Sequence, residues 1–198
     1  MTFDQLIALL LFAFVSSITP GPNNLMLLTS GVNFGFRRSI PHMLGIGVGF
    51  VFLILMVGAG MVRFFDLVPF SHTILTIAAV LYLLWLAWKV ANAAPASGTG
   101  ASAGRPMTFL QAAAFQWLNP KAWTMALTAI TVYLPTTSFE AVLFVALVFG
   151  AVNLPSVSVW TLMGQKISRF LTNPARLRTF NVTMAVFLIA SLYPLLAP

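Results

Sequence analysis

Cysteine is absent from this chain. That excludes disulfides, thiolate metal sites and dithiol redox chemistry together. Acid is nearly absent as well, with three Asp and Glu against ten Lys and Arg. None of the three acids falls deep in an apolar run, so a buried carboxylate proton relay has no raw material. Charged residues of both signs make up only 7% of the chain. No phosphate-binding glycine loop, no His/Asp/Glu metal cluster and no nucleophile with a plausible base partner is found. No metal or other cofactor is expected, and no enzymatic activity. The N-terminus, MTFDQ, has no Lys or Arg, and the apolar run behind it is too long for a signal peptide, so no cleavable signal is expected.

Hydrophobic residues dominate what remains, at 60% of 198 residues and a mean hydropathy of +0.97. A water-soluble protein of this size has too little interior to hide that surface, so the bilayer is the expected solvent. A span needs about 20 apolar residues. Six segments qualify: 4–33, 42–62, 72–91, 107–134, 140–163 and 179–197.

The net charge of +7 is explained by where the charges fall. Eight of the ten basic residues (Arg37, Arg38, Lys89, Arg105, Lys166, Arg169, Arg176 and Arg178) lie in or beside the first, third and fifth connections. The alternate connections and the termini hold Arg63 and all three acids, Asp4, Asp66 and Glu140. By the positive-inside rule the basic connections face the cytoplasm. This predicts an all-α, multi-pass inner-membrane protein with both termini outside the cytoplasm. Its basic charge meets anionic lipid headgroups, and nucleic acid is not an expected partner.

The stretch Asn92 to Pro106, NAAPASGTGASAGRP, has the composition of a flexible linker. It divides the chain into residues 1–91, a linker at 92–106, and residues 107–198, with three spans on each side. An odd number of spans per half makes the halves antiparallel, the arrangement of a 3+3 inverted repeat. Matching marks support it. Segments 1 and 4 are both overlong, and each carries a proline interruption near its middle: TPGPNN at Thr19–Asn24 and WLNPKAW at Trp117–Trp123.

Those interruptions carry the functional argument. Pro20 and Pro22 cannot donate to the carbonyls of Ser16 and Ile18, and Pro120 frees the carbonyl of Gln116. In lipid an unsatisfied backbone group costs several kcal/mol, so such breaks persist only inside protein or along a wet cavity. Proline suits the first turn of a helix, so fresh half-helices are expected after each break, with positive dipole ends turned toward the gap. Asn23, Asn24 and Asn119 add amides that both donate and accept. Lys121 sits too deep in segment 4 for easy snorkelling, where a charge costs about 2.5 kcal/mol or more and marks a functional site by default. A zwitterion fits this set: carboxylate at Lys121 and a helix N-terminus, ammonium at carbonyl and amide oxygens.

Blander readings apply elsewhere. One proline kink alone is usually structural; two at matching depth with Asn and Lys favour function. Asn153 and Pro155 form a third break that stays open between the two. Gly45, Gly47 and Gly49 read as close helix packing. Trp85, Trp88 and Trp160 read as interface or packing residues, and His42, after Pro41 at the cytoplasmic start of segment 2, reads as a surface histidine. Asn181-Val-Thr183 matches a glycosylation acceptor but falls at the cytoplasmic membrane face.

TPGPNN with the downstream GFRR turn (Gly35–Arg38) and LGIGVGF (Leu44–Phe50) resembles the LysE/RhtB amino-acid exporters, as do LYLLWLAWKVA (Leu81–Ala91) and FLQAAAFQWLNPKAW (Phe109–Trp123). The resemblance covers essentially the whole chain. It implies a six-helix inner-membrane carrier that exports amino acids or close relatives, driven by protons. It carries over Pro20, Gly21, Pro22, Asn23 and Asn24 as one signature and Asn119, Pro120 and Lys121 as the second, with Gln116 beside them. The layout is most similar to the cysteine/O-acetylserine or homoserine/threonine branches; a cationic substrate fits poorly beside Lys121. The expected function is therefore a secondary transporter working by alternating access, with a small amino acid and protons as partners and a homo-oligomer left open. A passive channel for small polar solutes is the alternative. A membrane redox or metal-handling protein is a third class, disfavoured by the missing Cys and clustered His.

Overall fold

A computed structural model describes residues 2–61, 67, 70–93, 105–134 and 138–193. Among these the secondary structure is helical throughout: α1 (Phe3–Ile18), α2 (Pro22–Gly58), α3 (Ser71–Ala91), α4 (Phe109–Phe115), α5 (Pro120–Tyr133), α6 (Phe139–Ile167) and α7 (Pro174–Ala190), with single 3₁₀ turns at Gln116–Leu118 and Ser168–Phe170. Arg63, Asp66, most of the expected linker (94–104) and the end of the sixth expected segment (194–197) lie outside the described residues.

Among the described residues, three helical stretches are long and apolar enough to cross a membrane, Pro22–Gly58, Thr73–Ala91 and Phe139–Phe170; Phe3–Ile18 is apolar but shorter. Large apolar side chains stand exposed on their outer faces, among them Leu11, Phe14, Val48, Phe52, Leu81 and Leu147.

Helix α2 is the spine. Its first half packs Leu25, Leu27 and Leu28 into a cluster with Leu83 and Leu86 of α3, Phe115 of α4 and Leu188 of α7. Its last half packs Phe50, Leu53 and Val57 with Leu9 and Ala13 of α1, Ala126 of α5 and Phe149 of α6. The closest partner of α2 is α6. There Gly31 lies against the Thr161 carbonyl and Gly164 against the Leu28 carbonyl, so that a methyl on either glycine would overlap backbone. Small residues let helices approach to backbone contact, which adds dispersion energy where lipid offers no hydrophobic drive. Gly45 and Gly49 serve α4 in the same way, against Phe109 and Ala113. Gly47 does not: a Cβ there meets nothing within 4 Å, so the packing role expected of all three glycines holds for two.

Two further expectations are corrected. Residues 34–41, expected to connect segments 1 and 2, do join two helices, but across a kink and without a loop. Only Gly35 leaves helical geometry, at φ 76° and ψ 170°. Such a left-handed φ is open to glycine at no steric cost. The kink is tied down by the Phe36 amide donating to Gln165 Oε1 at 2.7 Å and the Ser39 hydroxyl donating to the Gly35 carbonyl at 2.8 Å. Arg37 and Arg38 therefore project from helix surface. His42 is not a surface residue. Because the helix resumes at Phe36, His42 falls on the inward stripe with Ser39, Met43 and Ile46, and it is buried.

Candidate functional site

Two helix breaks among the described residues fall inside the apolar segments 4–33 and 107–134. α1 stops at Ile18 and α2 starts at Pro22; the 3₁₀ turn stops at Leu118 and α5 starts at Pro120. Each proline occupies the first turn of the helix that follows, where its missing N–H has no partner to lose. Asn119 caps α5, its Oδ1 accepting from the Lys121 amide at 3.2 Å. α2 starts on Gly21 with no side chain capping it, so the dipole at that end is left unneutralised.

The carbonyls that end α1 are all engaged. Thr19 Oγ1 donates to the Ser16 carbonyl at 3.2 Å. Asn24 Nδ2 donates to the carbonyls of Ser17 and Thr19, both at 2.8 Å. The Trp160 indole N–H, from α6, donates to the Ile18 carbonyl at 2.9 Å. Lys121 Nζ, from α5, donates to the Thr19 carbonyl at 2.7 Å, to Thr19 Oγ1 at 2.9 Å and to the Pro20 carbonyl at 3.3 Å. One helix end is thus held by side chains from three others, which answers where its backbone groups go once proline removes their helical donors.

The two interruptions are joined directly. Asn23 Nδ2 donates to Gln116 Oε1 at 2.8 Å, and Gln116 Nε2 donates to Asn23 Oδ1 at 3.3 Å and to the Ala112 carbonyl at 2.8 Å. Gln116, Asn119 and Asn24 are buried, while Asn23 and Lys121 are half-buried. Gly21 leaves room for the lysine stem: a Cβ there would sit 2.7 Å from Lys121 Cδ.

These groups line one cleft. Gly21, Asn23, Asn24, Gln116, Asn119 and Lys121 form its walls together with Ser16, Ser17, Phe50, Ala122, Met125 and Asn153. Pro20 and Pro22 stand behind the walls as the residues that terminate one helix and start the next, and Pro120 does so for α5. Asn153 donates to Ser17 Oγ at 3.4 Å, and its Oδ1 is buried without a partner. The cleft therefore holds one ammonium (Lys121), one uncapped helix N-terminus (α2) and one free amide oxygen (Asn153). Cation and acceptor in one cleft, among polar walls broken by Phe50, Ala122 and Met125, is a set that matches a small zwitterion.

In the sequence Asn153 stays open, and Ser16, Ser17, Phe50, Ala122 and Met125 do not stand out. The two serines carry a legible signal, being polar residues in the turn before a proline break. Phe50 and Met125 carry none, because apolar residues on a spanning helix are the rule. Trp160, read as packing, does pack against the first core cluster, yet its indole N–H also holds the α1 end. Asn181 is buried and bonded, donating to the Ala93 carbonyl at 2.9 Å and accepting from Asn33 at 3.1 Å.

Comparison with known proteins places the chain in a family. The chain matches the family model described as LysE type translocator over residues 14–191. It is 30% identical to a cysteine/O-acetylserine efflux protein of Klebsiella pneumoniae over 171 residues, covering 85% of this chain and 86% of the relative. It is 29% identical to the protein of that name from Escherichia coli O139:H28, and 28% to the one from Escherichia coli K12, each over 191 residues and 96% of both chains. No solved structure matches. With nine-tenths of its length matched, the chain belongs to the LysE type translocator family, whose members are multi-pass membrane transporters and not enzymes.

Proposed function

We propose that this protein is a secondary transporter that exports a small, neutral amino acid or a close derivative, with cysteine and O-acetylserine as the first candidates because those are the names its relatives carry. The observation that carries the proposal is the single cleft in which Lys121, the α2 N-terminus and the amides of both interruptions meet.

The substrate carboxylate exchanges with the Thr19 and Pro20 carbonyls for Lys121 Nζ and is favoured further by the dipole of α2. The substrate ammonium donates to Asn153 Oδ1 and the serine hydroxyls, since the α1 carbonyls already have donors. Asn23 and Gln116 form the joint between the interruptions, and Asn24, with the prolines, holds the walls. Loading therefore breaks the Lys121 tie between α5 and the α1 end, and unloading restores it. That exchange gives a ligand different interaction energies in two arrangements, which any ligand-driven conformational change requires.

On this account the chain forms six spans as a 3+3 inverted repeat, residues 1–91 and 107–198, joined by the linker at 92–106. The apolar side chains exposed on the outer helix faces meet lipid, and the basic connections face the cytoplasm of a bacterial inner membrane, with both termini outside. Transport runs by alternating access coupled to protons. The test is counterflow in proteoliposomes loaded with unlabelled O-acetylserine, with a neutral amino-acid panel as competitors. Uptake of labelled substrate against its gradient, enhanced by an imposed pH step and lost in Lys121→Ala, is expected. Equilibration that never exceeds the outside concentration points to a passive channel, and full activity in both Lys121→Ala and Asn23→Ala removes the site assignment.

A further inference from the structure

His42 is 1% exposed, and neither of its ring nitrogens has a hydrogen-bond partner. Buried polar groups are nearly always paired, so an imidazole left with two open nitrogens asks for a ligand. It lines a chamber distinct from the cleft. The walls come from α2 (Met26, Thr29, Ser30), α3 (Leu86) and the segment leading into α4 (Met107), with the exposed Lys89 and Arg105 beside them. Among the described residues none lines both cavities. Asn23 of the cleft and Met26 and Ser30 of the chamber follow at spacings of three and four along α2, so the two cavities share one helical stripe.

The chemistry of the chamber is specific. A neutral imidazole offers one donor and one acceptor, and Thr29 and Ser30 are hydroxyl residues. Among the described residues, the charged groups that line the chamber with His42 are Lys89 of α3 and Arg105 before α4, both cations. Two cations beside a buried acceptor, in walls that are otherwise mostly apolar, suit a small molecule with a carboxylate at one end and a donor at the other.

We propose that this chamber is a second binding site for the amino acid, a loading site on the side of the basic connections, where His42 hydrogen-bonds the ligand's amino group while Lys89 and Arg105 draw its carboxylate. The proposal rests on the export reading and adds to it a waiting position one to two helical turns from the cleft. Lys89 stays available for this because it lies over the Trp85 ring, 5.0 Å from the centroid, a contact a mobile ammonium leaves readily.

The test uses the full chain in nanodiscs in a His72→Gln background, where His42 is the only histidine left. Imidazole ¹⁵N shifts are followed while O-acetylserine is added, and thermal stabilisation is read on the same sample. The expected result is a saturable His42 shift that persists in Lys121→Met, with His42→Gln weakening that site roughly tenfold, the value of one hydrogen bond. Stabilisation by the ligand with unmoved His42 signals overturns the second site and leaves the export reading standing. Neither stabilisation nor a shift with any neutral amino acid overturns both. Because the shifts report on the native side chain, the outcome does not depend on His42→Gln folding.

Discussion

Gly21→Ala isolates the Lys121 tie without touching the charge. The backbone at Gly21 is fully extended, at φ −174° and ψ 175°, so alanine meets no conformational penalty there. What it meets is the lysine stem: the new Cβ stands 2.7 Å from Cδ and 3.3 Å from Nζ. To restore an ordinary contact near 3.4 Å the stem must withdraw by about 0.7 Å. The bond to the Pro20 carbonyl is already 3.3 Å long and is lost first; those to Thr19, at 2.7 and 2.9 Å, lengthen. Losing one charge-assisted bond and weakening two others costs about 1–2 kcal/mol, given that Lys121 is only half-buried. The tie thus weakens roughly five- to thirtyfold. In counterflow, Gly21→Ala should show altered apparent substrate affinity with a Tm within a few degrees of wild type, since the stem is flexible and can move aside. A large Tm loss, or unchanged transport with the Lys121 contacts intact, would refute the reasoning, because it would mean that this glycine serves folding or nothing.

Three further outcomes are expected. Asn24→Ala strips the donor from the buried Ser17 carbonyl, while the Thr19 carbonyl keeps Lys121; about 1–3 kcal/mol is lost and Tm falls by roughly 2–12 °C, measured by unfolding in detergent. Trp160→Phe keeps the ring and removes the donor to Ile18, a cost of about 1–3 kcal/mol; equal stability of Trp160→Phe and wild type would show that the carbonyl finds water instead. Gly49→Val drives a side chain into α4, where even a Cβ would lie 2.6 Å from Ala113 Cα; folded yield should collapse while Gly47→Ala, facing open space, expresses normally.

Much of the candidate cleft was readable because proline chemistry is local. A residue without an N–H must begin a helix or break one, and Pro22 and Pro120 begin them. The third and fifth expected segments, 72–91 and 140–163, fall on Ser71–Ala91 and Phe139–Ile167, since length and hydropathy need no tertiary knowledge. Long-range partners were not readable. Pairing the Ile18 carbonyl with Trp160, 142 residues away, depends on how α1 lies against α6. The expectation that freed carbonyls would wait for a substrate ammonium overlooked these side-chain donors. The burial of His42 is hidden in the sequence for a related reason: Pro41 resembles a loop boundary, whereas a left-handed glycine at position 35 turns the chain in one residue and leaves His42 on an inward helical stripe.

The most direct measurement of the central claim is equilibrium binding of O-acetylserine to the purified protein in nanodiscs, by calorimetry, in wild type, Lys121→Met and Lys121→Arg. Saturable binding is expected, with a component that weakens at least tenfold in Lys121→Met and is partly restored in Lys121→Arg, which keeps the charge. Equal affinity in all three proteins would contradict it, because the carboxylate would then owe nothing to the lysine that ties the two interruptions together.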